Sequence, residues 1–221
     1  MPDVRAVFSR PEVATPENHR WVPSPQAGVE RVMLDRLGDE VAVATSLVRY
    51  APGSTFPDHD HALGEEYIVL EGEFGDEHGR YPVGTYVRNP AGTHHAPFSE
   101  PGCVIFVKLR QFDPVDQRQC VIALDATSPA EGWRATELHR HAGEVVQEIV
   151  AAADAELELP AAEYVQEVLV LNGQVVWEDQ ELGANGWIRV PVGSPLRLTA
   201  RVASHLFHKT RPDYASPATG R

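Results

Sequence analysis

An internal repeat is the feature that most constrains how this chain folds. The segment EEYIVLEG ends at Gly72 and matches QEVLVLNG, which ends at Gly173. In the same way, YVRNPAG ends at Gly92 and matches WIRVPVG, which ends at Gly193. The members of each pair lie the same 101 residues apart. A constant offset across two separate segments indicates a duplicated domain, because chance similarities would not share one spacing.

The repeat also predicts where the two domains begin and end. We expect the first domain over residues 20–112 and the second over 118–210, joined by a polar turn. Trp21 precedes AGVERV and Trp133 precedes AGEVVQ, 112 residues later, which predicts a loop whose length differs by eleven residues between the copies. The leading 15 to 20 residues and the tail from residue 211 onward are polar and contain proline. We expect both ends to be loose or to lie across the surface.

Short runs of β-branched and aromatic residues recur along the whole chain, and Gly and Pro separate them. Examples are VAVATSLVRYAPG, TYVRNPAG, CVIFVKLRQF and LRLTARV. This pattern is typical of a sandwich or barrel of short strands, so the predicted fold class is all-β. A chain of 221 residues with 43% apolar content is long enough for two such domains of about 100 residues each.

The charge and composition of the chain limit which binding partners and which cellular compartment we expect. With 32 acidic and 19 basic residues the net charge is -13, which repels nucleic-acid phosphates and anionic lipid, so neither nucleic acid nor a membrane is an expected partner. No apolar run approaches the roughly 18 residues of a membrane span, and the N-terminus has no signal-peptide pattern. Cys103 and Cys120 match no disulfide framework. We therefore expect a cytoplasmic protein.

The first domain contains potential metal ligands at fixed spacing. Residues 53–72 read G(x)5HxH(x)3E(x)6G, and residues 84–95 read G(x)5PxG(x)2H. Because strand side chains alternate between faces, His59 and His61 project the same way. After the turn formed by Ala-Leu-Gly, Glu65 opens the next strand beside the two imidazoles.

The second segment ends in two adjacent histidines, of which alternation allows only one to face inward. The motif spacing selects His95 as the ligand and leaves His94 on the opposite face. The predicted site is therefore one divalent transition metal held by His59, His61, Glu65 and His95. Three imidazoles and one carboxylate suit several metals, with Zn or Fe favoured and Mn or Ni as further candidates. A zinc ion with four protein ligands has no free coordination position, whereas a six-coordinate metal held by the same four residues keeps two positions for water, oxygen or substrate.

These motifs resemble those of the cupin superfamily. The stretch from Val48 to Phe112, including PDHDHALGEEYIVLEGEF and RNPAGTHH, is similar to the cupin domain of the zinc anti-sigma factor ChrR. The resemblance implies two tandem RmlC-like jelly-roll cupin β-barrels, and ligands from two histidines, the first glutamate of the EE pair and a later histidine. ChrR proteins begin with a helical anti-sigma domain that carries a His and CxxC zinc site, and nothing before Trp21 resembles it. Ser99 also replaces the Asn of the second cupin motif.

The second half repeats the scaffold without the ligands. The offset of 101 residues equates the four predicted ligands with Pro160, Ala162, Gln166 and Leu196. We therefore expect a degenerate, metal-free barrel with an apolar interior. An alternative is a second metal site built from His139 and His141, or from His205 and His208.

The predicted site supports two functions of different classes. One is a metal-dependent enzyme, a dioxygenase or isomerase that acts on a small organic substrate. The other is a zinc sensor or regulatory binding module without catalytic activity, in which a small ligand changes an interaction with another protein; a homodimer fits either function. The aromatic residues nearest the motifs either line a substrate pocket or are plain core, and we expect Tyr67 to point inward. The five are Tyr50, Tyr67, Tyr86, Phe98 and Phe106.

Overall fold

The computed structural model describes residues 3–39 and 41–213, and its regular structure is almost entirely β-strand. Within those ranges, no helix is long and apolar enough to cross a membrane. A single turn of 3-10 helix covers Pro16–Asn18. The strands in chain order are β1 Glu12–Ala14, β2 Val22–Pro23, β3 Val29–Leu37, β4 Val43–Tyr50, β5 Ser54–Thr55, β6 His59–Asp60, β7 Glu65–Asp76, β8 Gly79–Pro82, β9 Thr85–Asn89, β10 His94–His95, β11 Phe98–Ser99, β12 Cys103–Leu109, β13 Cys120–Ala123, β14 Trp133–His141, β15 Glu144–Ala151, β16 Glu156–Leu159, β17 Val165–Asn172, β18 Gln174–Trp177, β19 Gln180–Gly183, β20 Trp187–Val190, β21 Leu196–Ala200 and β22 Ser204–Arg211.

The chain divides into two compact units. The first comprises the described residues up to Ala6 together with Arg20–Leu124, and the second comprises Val7–His19 together with the described residues from Asp125 onward. The first unit continues past residue 112 because β13 pairs with β9. The second unit includes the N-terminal β1, which pairs with β20.

The expectation that the chain ends are loose or lie across the surface is wrong for several of the described residues. Residues 12–14 form an edge strand, and Phe8 is buried beneath the guanidinium of Arg189. At the other end, Arg211 closes β22 and is fully buried. Residues 214–221 lie outside the described part of the chain.

The first unit is organised around one long strand. The first part of β7 pairs with β9 and β12, and its last residues, Glu73 to Asp76, pair with β8. The central order of the sheet is β13-β9-β7-β12-β4-β3-β2, and β6 and β10 form a separate two-stranded ladder. Because β7 bends at Gly72 into a second layer, aromatic side chains from that layer, such as Phe74 and Tyr81, join the same buried cluster as Val69 and Ile105.

The second unit has two separate sheets of described strands, ordered β1-β20-β17-β22-β15-β14 and β16-β21-β18-β19. Its buried apolar cluster takes residues from both sheets, such as Val168 and Leu206 from one and Leu157 and Leu198 from the other. Each unit is thus a two-layered jelly roll. The described ladders do not close into continuous hydrogen-bonded barrels, but the all-β fold with two tandem jelly rolls is the one that the sequence predicted.

The strand registers show how far the repeat extends. β4 and β15, and the first parts of β7 and β17, keep the offset of 101 residues. The predicted equivalence of Trp21 and Trp133 is wrong: Val29 pairs with Tyr50 and Trp133 pairs with Ala151, so the counterpart of Trp133 is Val29. The difference arises in the turn after this strand, which takes residues 38–42 in the first unit and only two residues in the second.

We expect two glycines of the first unit to respond differently to alanine. Gly72 and Gly84 both have positive φ angles, of 68° and 80°. A Cβ at Gly72 would lie 1.9 Å from the carbonyl oxygen of Gly102, whereas a Cβ at Gly84 would meet no atom within 4 Å. Gly84→Ala should lower the free energy of unfolding by about 1–2 kcal/mol, the cost of a left-handed residue. Gly72→Ala should cost clearly more, because a backbone carbonyl must move. Urea unfolding measures both, and equal losses would contradict this account of the bend.

Candidate metal centre

Three strands and the turn after one of them bring the four motif residues together. His59 in β6 lies directly opposite His95 in β10. His61 follows β6. Its backbone N–H donates to the Thr93 carbonyl and its own carbonyl accepts from Gly92. The turn at residues 90–92, called the PAG turn below, therefore fixes its position. Glu65 opens β7, which places its side chain beside the three rings.

The side chains converge on a single point. The Nε2 atoms of His95 and His61 lie 3.3 and 3.5 Å from Oε1 of Glu65, and Nε2 of His59 lies 4.0 Å from Oε2. Potential ligand atoms of all four residues lie within 4.8 Å of one another. His61, Glu65 and His95 are buried and His59 is half-buried. The cluster is therefore enclosed but remains accessible on the His59 side.

The opposite nitrogen of each ring is anchored by a hydrogen-bond acceptor. Nδ1 of His59 lies 2.9 Å from the Pro57 carbonyl, and Nδ1 of His95 lies 3.2 Å from Oδ2 of Asp76. A carbonyl and a carboxylate can only accept, so both Nδ1 atoms carry the proton.

The anchor of His61 leads to the same tautomer. Nδ1 of His61 lies 2.8 Å from the Thr93 hydroxyl, which donates its single proton to the Pro90 carbonyl. The hydroxyl must therefore accept from His61. In all three neutral imidazoles the lone pair then sits on Nε2, the atom that faces Glu65.

The geometry and the donor set fit a bound metal ion. Nε2 of His61 is buried and has no hydrogen-bond partner among the described residues, which is costly for a polar atom unless a ligand satisfies it. Two ligands that each lie about 2.1 Å from one ion are about 3 to 4 Å apart. The distances from Glu65 to the three rings fall in that range. The four residues could therefore hold a divalent transition metal.

Without a metal, the cluster attracts protons instead. Burial alone would lower the pKa of His95, but Asp76 and Glu65 outweigh it and raise that pKa to about 9. Burial is likewise outweighed at His59, whose pKa is raised by Glu65 and the Pro57 carbonyl, whereas burial dominates at His61 and lowers its pKa. Although burial favours the neutral acid, the imidazoles hold the pKa of Glu65 well below its usual value. The site thus favours positive charge between the rings and the carboxylate.

The two adjacent histidines of β10 have different environments. His95 is buried in the cluster, whereas His94 is exposed on the other face, where its Nδ1 lies 3.2 Å from Oδ1 of Asp58. His94, Asp58 and Glu77 form a second group of potential ligands, but all three are exposed.

A cavity of about 250 Å³ within the first unit is lined by all four clustered residues. Much of its remaining wall is apolar, from side chains such as Val48, Phe56, Ile105 and Val107. Tyr50 is the one residue of the five suggested aromatics that lines this cavity. Tyr67 points inward as expected, but it is buried in the core against Phe74 and does not reach the wall. The other three do not line it either: Tyr86 donates to Glu66 on the far face of the sheet, Phe98 lies under Arg80, and Phe106 lies near Lys108.

The cavity wall also has a cationic part, which was not predicted from the sequence. Arg31 and Arg36 in β3 and Arg110 after β12 line the cavity together with the cluster. Simple alternation could have found Arg31, because it is two residues from the inward-facing Val29. Arg36 has the opposite parity and faces inward only because the register of β3 shifts between Met33 and Asp35.

In the second unit the equivalent positions hold no such cluster. Gln166 occupies the place of Glu65, and the carbonyl of Ala162 accepts from Gly193 as that of His61 does from Gly92. Leu196 pairs with Leu159, so the counterpart of His59 in this ladder is Leu159 and not the predicted Pro160.

The interior of the second unit is also not purely apolar. His208 lies within hydrogen-bond distance of both Gln166 and Gln147, at 3.1 and 3.2 Å, and burial lowers its pKa to about 4. His205 interacts instead with Glu148, 3.0 Å away, and its position on β22 gives it the opposite face from His208. These two histidines therefore do not form a common site. His141 belongs to no group of three potential ligands among the described residues.

Comparisons with known proteins agree with this fold. Residues 9–113 match the sequence profile of the ChrR cupin-like domain. A candidate dioxygenase from Nostoc punctiforme superposes with a TM-score of 0.74 at 15% identity, covering 98% of this chain and 90% of that one. A bacterial pirin from Escherichia coli in complex with nickel(II) gives 0.70 at 14% identity, covering 91% and 99%. Quercetin 2,3-dioxygenase from Acinetobacter baumannii gives 0.63 at 14% identity, covering 93% and 80%.

No curated protein matches the sequence. At identities this low the structural neighbours establish the fold alone. The profile match is more specific, but it covers only residues 9–113. It identifies these residues as a ChrR cupin-like domain, and the structural neighbours show that the chain as a whole has the fold of cupin proteins.

Proposed function

We propose that the protein is a metal-dependent enzyme of the dioxygenase type that acts on a small organic molecule. In this proposal His59, His61, Glu65 and His95 bind one divalent transition metal. The observation that carries it is the convergence of three Nε2 lone pairs and a carboxylate on the wall of a largely apolar cavity. A metal site that opens onto a cavity has room for a substrate beside the ion.

A divalent metal bound there would supply Lewis acidity and a template on which substrate and oxygen meet. The residues of the chain do the rest. Hydrogen bonds that the three rings donate to Pro57, Thr93 and Asp76 fix the ring orientations, and such supporting contacts raise ligand basicity. Apolar side chains such as Ile105 and Val107 exclude water from the reacting groups.

The nature of the cavity wall favours oxygenation over isomerisation. An isomerisation through an enolate needs a base that removes and returns a proton. The carboxylates among the described residues of the wall are Glu65 and Asp60, of which Glu65 is committed to the metal and Asp60 is exposed. A 1,3-diketone is acidic enough to lose this proton without a strong protein base, and oxygenation needs no base that returns the proton to carbon. Two structural neighbours named as dioxygenases give further support.

The alternative is a zinc sensor or binding module without catalytic activity, and the match to the ChrR cupin-like domain favours it. Zinc with four protein ligands is typical of closed structural sites, which need no cavity. Metal content and oxygen consumption separate the two functions.

We expect protein purified without added metal to contain iron, manganese or nickel. After reconstitution with Fe(II), an oxygen electrode should record oxygen uptake on addition of a small diketone such as acetylacetone. Glu65→Gln should lose this uptake, because it removes the only anionic ligand. Stoichiometric zinc and no oxygen uptake with any reconstituted metal would favour the sensor.

Metal loading should depend on His61 but not on His94. His61→Ala removes a buried ligand, so bound metal should fall from about one ion per chain to nearly none. His94→Ala is the matched control, because it removes an exposed imidazole one residue from a proposed ligand. Elemental analysis of both purified variants measures the outcome. Equal loss in the two variants, or two tightly bound ions in the wild type, would contradict the ligand assignment.

The stability that metal adds should depend on pH. In metal-free protein the pKa of His95 is about 9, above its unfolded value of about 6.5, so its contribution is full below pH 6.5 and is lost as pH rises through 9. Metal binding needs the neutral ring and therefore gains as pH rises. Chelator should lower the melting temperature by several degrees at pH 8 and by much less at pH 5. An unchanged melt at pH 8 after confirmed metal removal would show that the site is not coupled to folding.

A further inference from the structure

A β-bulge controls which charge faces the cavity. Along β3, Val29 pairs with Tyr50 and Arg31 with Val48, and all four side chains line the cavity. Strict alternation would turn Met33 and then Asp35 inward. The extra residue at Leu34 shifts the phase, so that Asp35 points away and Arg36, opposite Ala44, lines the cavity instead. The bulge thus replaces an inward carboxylate by a guanidinium.

Among the residues that the structure describes, the two arginines of β3 have no carboxylate partner. Arg31 donates to the Ser24 hydroxyl at 3.0 Å, and Arg36 donates to the backbone carbonyl of Asp39. Among the described residues, neither forms an ion pair with a carboxylate, and Nε of the buried Arg36 has no hydrogen-bond partner. Burial and the charge of Arg36 lower the pKa of Arg31. Buried arginines normally pair with anions.

The charge of the cavity is opposite to that of the whole chain. The protein carries a net charge of -13, yet three arginines line this cavity against the carboxylates of Asp60 and Glu65. A divalent metal beside Glu65 would make the cavity still more positive. A neutral substrate would leave these guanidiniums without compensation.

We propose that the cavity binds an anionic substrate, a small oxo acid whose carboxylate is held by Arg31 and Arg36 while its carbonyl end faces the histidine cluster. This inference specifies the substrate class and rests on the proposed function. A cavity of about 250 Å³ limits the substrate to about the size of a single ring, since cavities of roughly 150 Å³ hold benzene. A guanidinium can donate two parallel N–H bonds to the two oxygens of a carboxylate, so arginines on the wall suit a substrate with this group.

The test compares acetopyruvate with its methyl ester, which has the same dicarbonyl skeleton but no charge. Isothermal titration calorimetry measures the dissociation constants of both for the full-length protein, with metal bound and after chelation. We expect acetopyruvate to bind at least tenfold more tightly, and we expect this preference to persist without metal, because the arginines and not the ion read the charge.

Substitutions of the arginines test which side chains carry the preference. Arg31→Gln and Arg36→Gln should each reduce it about tenfold, whereas Arg36→Lys should retain part of it and shows whether position 36 tolerates change. Arg49→Gln is the matched control: Arg49 lies on the neighbouring β4 but is exposed and paired with Glu30 at 2.6 Å, so the preference should not change. Melting temperatures confirm that each variant is folded.

The outcomes separate this inference from the proposed function. Equal affinities for the acid and the ester in wild type, no binding of acetopyruvate at millimolar concentration, or an undiminished preference in both glutamine variants would overturn the anionic substrate. Absence of oxygen uptake with either compound, combined with a preference that the arginines control, would overturn only the dioxygenase function. Charge selectivity with turnover would support both.

Discussion

The hydrogen bonds to the Nδ1 atoms of three histidines are the interactions on which the site depends. Because Pro57, Thr93 and Asp76 each accept from one ring, His59, His61 and His95 direct their lone pairs at Glu65. Three lone pairs facing a carboxylate repel one another unless protons or a metal ion lie between them. The raised pKa of His95 shows that the metal-free site takes up a proton between these groups. A bound metal ion would take the place of that proton. The scaffold around the cluster, from the PAG turn to the bend of β7, holds these rings in place.

The second unit shows what happens when the constraint is removed. Replacing Glu65 by its counterpart Gln166 exchanges a charged acceptor for a neutral amide, which can donate as well as accept. Gln166 donates to the carbonyls of Pro160 and Ser194, and its oxygen lies 3.1 Å from His208. An apolar Leu196 replaces His95, so no cluster of lone pairs remains. The same backbone therefore tolerates either a cation site or a self-satisfied polar core.

The sequence predicted the features that depend on fixed local spacing. The histidine and glutamate positions follow from strand alternation and glycine-rich turns, and the repeat predicted the second unit and the loss of its ligands. Features that depend on a register shift or on distant pairing were not predictable in this way. The bulge at Leu34 turns Arg36 into the cavity, and nothing in the alternating pattern of β3 marks it. Similarly, the polar N-terminal segment gave no sign that residues 12–14 pair with β20, more than 170 residues away.

The two adjacent glutamates of β7 show why the two faces of the repeat differ. Glu65 points into the cavity and has become Gln166, whereas Glu66 points to the other face and is retained as Glu167. Glu66 and Glu167 are both buried. Each accepts from an aromatic donor on the neighbouring strand: Glu66 from Tyr86 at 2.7 Å, and Glu167 from Trp187 at 3.2 Å. Arg88 lies 3.5 Å from Glu66, and Arg211 bonds Glu167. Removing one member of a buried ion pair leaves an uncompensated charge, which costs about 3–5 kcal/mol. Glu65, which faces the cavity, can be exchanged for an amide by itself, whereas the buried network around Glu66 must change as a whole.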